Sequence, residues 1–134
     1  MGPYAPTSAK LVKFGDIEDL REALEADGQR IAAFMIEPIQ GASGYNQRYL
    51  LFQTICLIHL RSVNVPSDGY LKAVADLCKK HNVLFIVDEV QTGFGRCGTT
   101  LCHHHEPGVK PDLVCLGKAL TGGMITLIIF PAAI

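Results

Sequence analysis

The chain has 134 residues, of which 49% are hydrophobic and 19% charged, and its formal net charge at pH 7 is -1. This length is enough for one domain with a hydrophobic core, and the charge balance supplies no basic surface for binding nucleic acid. The apolar runs are shorter than a membrane span, and no signal peptide or targeting presequence is recognised at the N-terminus. The five cysteines are odd in number and scattered, which favours reduced thiols in an intracellular protein.

Helices and buried strands are predicted to alternate along the chain. Hydrophobic periodicity predicts helices over 16–27 and about 68–81, and strands over 31–36, 83–87 and 113–116. Asp16 is the expected N-cap of the first helix, and Ser67 or Asp68 that of the second. The run Leu84–Val87 is typical of a strand buried on both faces. This alternation predicts an α/β fold with a mainly parallel sheet and flanking helices.

An ionisable residue follows each predicted strand, namely Glu37, Asp88 and Lys118. In a parallel sheet with right-handed crossovers, the carboxyl ends of these strands lie at one edge, where ligands of open sheets bind. We therefore expect two acids and one lysine to converge on a single crevice.

Lys118 and Asp88 each permit more than one interpretation. Lys118 could form a structural ion pair, bind phosphate or act as a Schiff-base amine. The glycines that flank it, Gly117 and Gly122-Gly123, favour a bulky ligand close to the backbone. Asp88-Glu89 after an apolar strand also resembles a Walker B segment, but the chain lacks the Gly-x-x-x-x-Gly-Lys-Ser/Thr loop that this function requires.

A tight group of cysteine and histidine residues lies between Cys97 and His105. Zinc binding is one interpretation of this group. The second ligand pair at a defined spacing is absent, so we expect a polar loop and no metal.

Three motifs in order carry a resemblance to a known family. They are Glu37-Pro38-Ile39-Gln40-Gly41, Asp88-Glu89-Val90-Gln91-Thr92-Gly93 with Arg96, and Pro111-Asp112 through Leu116-Gly117-Lys118-Ala119-Leu120-Thr121-Gly122-Gly123. Together they resemble the class III (fold type I) aminotransferases, which use pyridoxal 5'-phosphate (PLP). Residues 1–44 and 63–124 carry the resemblance, and their flanks are most similar to the ornithine aminotransferase branch. The implied fold is part of the large PLP-binding domain.

The resemblance implies a role for each motif residue. Lys118 matches the lysine that forms a Schiff base with PLP and then shuttles a proton. Asp88 matches the acid that keeps the pyridine nitrogen protonated, so that the ring withdraws electrons. Gln91 would hydrogen-bond the phenolic oxygen, Val90 would pack on the ring face, and Glu37 would orient this cluster. Glu89 is expected to be structural.

The same resemblance implies the reaction and the partners. An amino group would pass from L-ornithine to a 2-oxo acid, giving glutamate semialdehyde and an amino acid. A homodimer or higher homo-oligomer is implied, in the cytoplasm or the mitochondrial matrix, with no nucleic-acid or membrane partner.

Two apolar segments and one substitution depart from the family pattern. Tyr45–Ser62 is an apolar insertion, and 125–134 is an apolar tail; each is interpreted as an extra strand or as translated non-coding sequence. Ala42 stands where ornithine-type enzymes carry a glutamate. Because the chain covers only the middle of the large domain, we expect the isolated chain to be inactive. The alternative is a non-catalytic fragment.

Overall fold

The computed structural model describes residues 12–41, 63–120, 122 and 127–129. Two α-helices occur in these ranges, α1 (Ile17–Asp27) and α2 (Tyr70–Lys80). The four strands described are β1 (Ala33–Ile36), β2 (Leu84–Asp88), β3 (Leu113–Leu116) and β4 (Leu127–Ile129). The insertion 45–62 and Ala42 lie outside the described residues.

The described strands form one sheet in the order β1-β2-β3-β4. β1, β2 and β3 are mutually parallel, whereas β4 runs antiparallel to β3. The predicted parallel α/β fold is confirmed, and the strand interpretation of the apolar tail holds for 127–129. Neither described helix has the length and apolar character needed to cross a bilayer.

The two helices begin in different ways. Asp16 caps α1 as predicted, because its Oδ1 accepts the backbone N–H groups of Glu18 and Asp19, each at 3.2 Å. The cap predicted for α2 is wrong: the N-cap position is Gly69, with a φ of 81° and no side-chain cap. A later segment supplies the acceptor instead, since the Glu106 carboxylate accepts the N–H groups of Leu71 at 3.4 Å and Lys72 at 2.9 Å.

The hydrophobic core lies between the helices and one face of the sheet. Its members are buried apolar side chains of both helices and of β1 and β2, including Leu20, Leu24, Phe34, Val74, Phe85 and Val87. The opposite face is open in the described part of the chain, where Met35 and Leu84 are each 48% exposed. The prediction that the run Leu84–Val87 is buried on both faces is therefore wrong at Leu84, because both described helices pack on the other face of this strand.

Candidate functional site

The carboxyl ends of the parallel strands bring the predicted charged residues to one edge of the sheet. Ile36 pairs with Val87, so Glu37 and Asp88 follow a matched pair of positions on β1 and β2. Asp88 pairs in turn with Cys115 of β3, three residues before Lys118. The expected grouping at a single sheet edge is thus present in the backbone.

Asp88 is the half-buried last residue of β2, and one of its carboxylate oxygens is already oriented by the backbone. Its Oδ1 accepts the N–H of Val90 at 2.9 Å. Burial and the negative charge of Asp88 both raise the pKa of the neighbouring Cys115 thiol. Among the residues that the structure describes, no cation pairs with Asp88, and its Oδ2 has no hydrogen-bond partner. One oxygen is therefore available to a ligand.

Lys118 lies just beyond β3, at the start of the 3-10 helix Lys118–Leu120. Its side chain is exposed, and its φ of 44° is in the left-handed region that a residue with a side chain rarely adopts. Strained backbone of this kind is concentrated at functional sites. Within the described ranges Lys118 has no ion-pair partner, so the structural ion pair finds no support there.

The segments that follow β1 and β2 meet at Gly41 and Gln91. A Cβ atom added to Gly41 would clash with Oε1 of Gln91, so the amide occupies the space that the glycine leaves. Gln40 is held in turn by Asn64, since the two backbones exchange N–H···O bonds of 3.0 Å. Glu37 is half-buried beside the fully buried Pro38. Val90 is half-buried in the same loop as Gln91.

Glu89 is a residue for which sequence reasoning assigned no contacts. Its side chain is 0% exposed. The carboxylate accepts the Thr92 hydroxyl and, at 2.9 Å each, the backbone N–H and the ring Nδ1 of His103. Burial alone raises the pKa of Glu89, but these hydrogen bonds outweigh it and hold the pKa below its ordinary value. An apolar run ending in two acids was the only available signal, because His103 is distant in sequence.

The cysteine–histidine loop uses its polar groups within the protein. His103 contacts Glu89, and the Nε2 of His105 lies 2.7 Å from the carbonyl oxygen of Cys97. In residues 12–41, 63–120 and 122, no group of three or more metal-binding side chains is arranged to hold an ion. The zinc interpretation gains no support from this part of the chain.

Comparison with known proteins identifies one family. Residues 62–132 match the family model for class-III aminotransferases, a range that includes 125–132 of the apolar tail. The ornithine aminotransferase of Plasmodium yoelii yoelii is 48% identical over 122 residues, which are 91% of this chain and 24% of that protein. Ornithine aminotransferase car2 of Schizosaccharomyces pombe is 44% identical over 130 residues, which cover 92% of this chain and 25% of that protein.

Solved structures give the same result. The acetylornithine aminotransferase of Elizabethkingia anophelis matches with a TM-score of 0.71 and 44% identity, over 89% of this chain and 25% of that one. The ornithine aminotransferase of Toxoplasma gondii, crystallised with partial occupancy of PLP at its active site, matches with a TM-score of 0.70 and 37% identity, over 96% and 26%. The chain thus spans about a quarter of the length of these proteins.

Proposed function

The chain belongs to the class-III aminotransferases, and from this premise we propose that it is part of a PLP-dependent transaminase acting on L-ornithine and a 2-oxo acid. One observation carries the proposal. Asp88 ends β2 and Lys118 lies two residues beyond the adjacent parallel strand β3, at the same sheet edge, and neither has an ion-pair partner among the described residues. Because neither the acid nor the amine is paired with a described residue, the arrangement supports a ligand-binding site better than it supports a structural ion pair.

The residues at this edge fit the functional groups of PLP. The cofactor carries an aldehyde, a phenolic oxygen and a pyridine nitrogen, which call for an amine, a hydrogen-bond donor and an acid. Lys118 is an exposed amine, Gln91 has a side-chain amide, and Asp88 has a carboxylate oxygen without a protein partner. When bound, PLP supplies an electron sink that stabilises negative charge on the substrate carbon.

Each proposed role is the one that the family resemblance implies for that residue. Lys118 would hold the cofactor through Nζ at the aldehyde carbon, with loss of water, and as a free amine would carry the proton of the substrate carbon. The carboxylate of Asp88 would hold a proton on the pyridine nitrogen. Val90 would pack on the ring face, Gln91 would bind the phenolic oxygen, and Glu37 would orient the group.

The substrate and partner proposals rest on the relatives. Their names include both ornithine and acetylornithine aminotransferases, so ornithine is proposed as donor and acetylornithine is its nearest competitor. We propose a homodimer or higher homo-oligomer. The relatives from Caenorhabditis elegans and Arabidopsis thaliana are named as mitochondrial, which supports the mitochondrial matrix, with the cytoplasm as the alternative.

A non-catalytic fragment is the second candidate, and the observation that favours it is length. The chain covers 24% of the Plasmodium yoelii yoelii relative, so most of an aminotransferase is outside the matched region. Fewer contacts leave less binding energy to offset the entropy lost on binding. We expect the isolated chain to bind PLP weakly and to complete no catalytic cycle, whereas a non-catalytic fragment without the site would not select Lys118 for reaction with the cofactor.

Reductive trapping distinguishes the two candidates. The purified 134-residue chain is mixed with PLP, reduced with borohydride and digested, and the modified lysines are identified by mass spectrometry. We expect the label on Lys118 at a PLP concentration that leaves other lysines unmodified. Lys118→Arg should abolish this label, whereas Lys110→Arg, at another exposed lysine of the same region, should not.

Labelling spread equally over the exposed lysines would contradict the site and leave the non-catalytic fragment. The amino donor is tested on the chain that has been mixed with PLP, before borohydride is added. Conversion of bound PLP to pyridoxamine phosphate should be faster with ornithine than with acetylornithine, and the reverse order would overturn the proposed donor.

A further inference from the structure

Glu89 is adjacent to Asp88, yet its environment differs completely from the exposed sheet edge. The side chain is 0% exposed, and its partners are Thr92 and His103, both of which are themselves buried. Hydrogen bonds to an ionised acceptor are roughly twice as strong as neutral ones. A buried carboxylate that accepts hydrogen bonds from Thr92 and His103 is held in one orientation.

The protonation state of this cluster follows from its donors. An ionised carboxylate can only accept hydrogen bonds, so the ring nitrogen that faces it, Nδ1 of His103, must carry a proton. The backbone N–H of His103 donates to the same carboxylate at 2.9 Å. Glu89 is thereby joined to the start of the 3-10 helix Cys102–His105.

The backbone of Glu89 is anchored as firmly as its side chain. Its N–H donates to the carbonyl oxygen of Cys115 in β3 at 2.9 Å, and its carbonyl oxygen accepts the N–H of Gly93 at 2.9 Å. The loop from Asp88 to Gly93 is therefore attached through Glu89 to β3, to its own far end and to the 3-10 helix. Asp88, Val90 and Gln91, the proposed cofactor-binding residues, lie on either side of this anchor.

We propose that Glu89 is a positioning residue that sets the placement of Asp88 and Gln91 for the cofactor, an inference that rests on the proposed function. The local consequence is visible in the hydrogen bond from the Val90 N–H to Oδ1 of Asp88. That bond spans the anchored Glu89 and orients the carboxylate that would hold the pyridine nitrogen. Loss of the Glu89 contacts would release the loop from Asp88 to Gly93. The Asp88 carboxylate would then no longer be held in one orientation.

Hydrogen exchange of the full 134-residue chain without cofactor tests the local effect. In Glu89→Gln, which keeps the size of the side chain, we expect the Val90 amide to exchange about tenfold faster, equivalent to about 1.4 kcal/mol. The Phe85 amide in the middle of the sheet serves as the internal reference. Thr92→Val removes only the hydroxyl donor and should give the same pattern, with a smaller increase in the Val90 exchange rate. This second variant keeps the test informative if Glu89→Gln fails to fold.

Asp19→Asn is the matched control, because Asp19 is another buried carboxylate that accepts a backbone N–H, from Lys13 at 3.0 Å. Its loss should speed exchange near α1 and leave the ratio of Val90 to Phe85 rates unchanged. If Glu89→Gln speeds Val90 and Phe85 equally, Glu89 acts on global stability alone and the proposal is overturned.

A cofactor measurement separates this inference from the proposed function. In the wild-type chain and in Glu89→Gln, the PLP concentration that half-saturates borohydride trapping on Lys118 is measured. We expect about a tenfold higher concentration for Glu89→Gln. Equal concentrations would overturn the positioning role while leaving the proposed function standing. If the wild-type chain shows no trapping while the Val90 amide still exchanges faster in Glu89→Gln, the proposed function is contradicted instead.

Discussion

Asp112 binds the backbone of Phe85 twice. Its Oδ2 accepts the Phe85 N–H at 2.8 Å, and its own N–H donates to the Phe85 carbonyl oxygen at 2.8 Å. Asp112 immediately precedes β3, and Phe85 is in β2, so this pair joins the two strands ahead of their first paired residues. One of these two hydrogen bonds depends on the Asp112 side chain, and the other joins the two backbones.

Replacement of Asp112 should therefore weaken the sheet. We expect Asp112→Ala to lower the free energy of unfolding by about 1–2 kcal/mol, since a charged acceptor of a backbone N–H is lost. Chemical denaturation of the full chain measures the change. Asp76→Ala is the control, because Asp76 makes only an exposed ion pair with Lys72 within α2 and should change stability by less than about 0.5 kcal/mol. Equal effects of the two substitutions would contradict a special role for Asp112.

Acid should reduce stability through Glu89. The pKa of this carboxyl in the folded chain is below its ordinary value of 4.5, so the unfolded chain binds more protons in this range. The stabilisation is complete above the unfolded pKa and is lost as the pH falls through the folded pKa. Thermal unfolding of the wild type and of Glu89→Gln between pH 3 and pH 6 measures this. We expect a shallower decline with falling pH in Glu89→Gln, and parallel curves would count against the ionised state of Glu89.

Two glycines should respond differently to the same added methyl group. In Gly41→Ala the new Cβ meets only the end of the flexible Gln91 side chain, so we expect stability to change little and PLP trapping on Lys118 to fall. In Gly93→Ala the new Cβ lies 2.9 Å from the carbonyl oxygen of Glu89, which is backbone, so we expect a stability loss of about 1–3 kcal/mol. Unfolding midpoints and trapping yields of both variants, measured side by side, check the contrast. A large stability loss in Gly41→Ala would show that Gln91 cannot move aside.

The described cysteines should differ in reactivity. Burial, with a smaller contribution from Asp112, raises the pKa of Cys78 to about 12, and burial followed by the neighbouring Cys97 raises that of Cys102 to about 12. At pH 8 roughly one such thiol in 10⁴ is the reactive thiolate. We expect the more accessible Cys97 to be alkylated by iodoacetamide first, as measured by mass spectrometry at each cysteine. Equal alkylation rates at these cysteines in the native chain, as expected for the chain unfolded in urea, would indicate that the loop containing Cys97 and Cys102 is open.

Hydrophobic periodicity was sufficient to predict the strands and their common edge. β3 was predicted at its observed bounds, and β1 and β2 within two residues, because buried apolar runs interrupted by helices have few other solutions. Glu37, Asp88 and Lys118 lie within two residues of the carboxyl ends of these strands, so their grouping required no knowledge of side-chain contacts. Their assignment to individual atoms of PLP came from the family resemblance and stays a prediction.

Contacts between distant segments could not be predicted from the sequence. Glu106 caps α2 from more than 30 residues away, and local propensity offered only Ser67 and Asp68. The partner of Glu89 was hidden for the same reason, since a pattern of apolar residues does not indicate which buried polar groups pair. The exposure of Met35 and Leu84 also escaped prediction, because an apolar run is compatible with one or two covered faces.

The 3-10 helix Cys102–His105 and the residue after it, Glu106, contact both Glu89 and the beginning of α2. His103 donates to Glu89, and Glu106, three residues later, accepts the N–H groups of Leu71 and Lys72 in the first turn of the helix. Effects of substitutions at these two positions should consequently not add, because each variant disturbs the support on which the other contact depends. A substitution in this segment is thus expected to disturb both the beginning of α2 and the loop from Asp88 to Gly93.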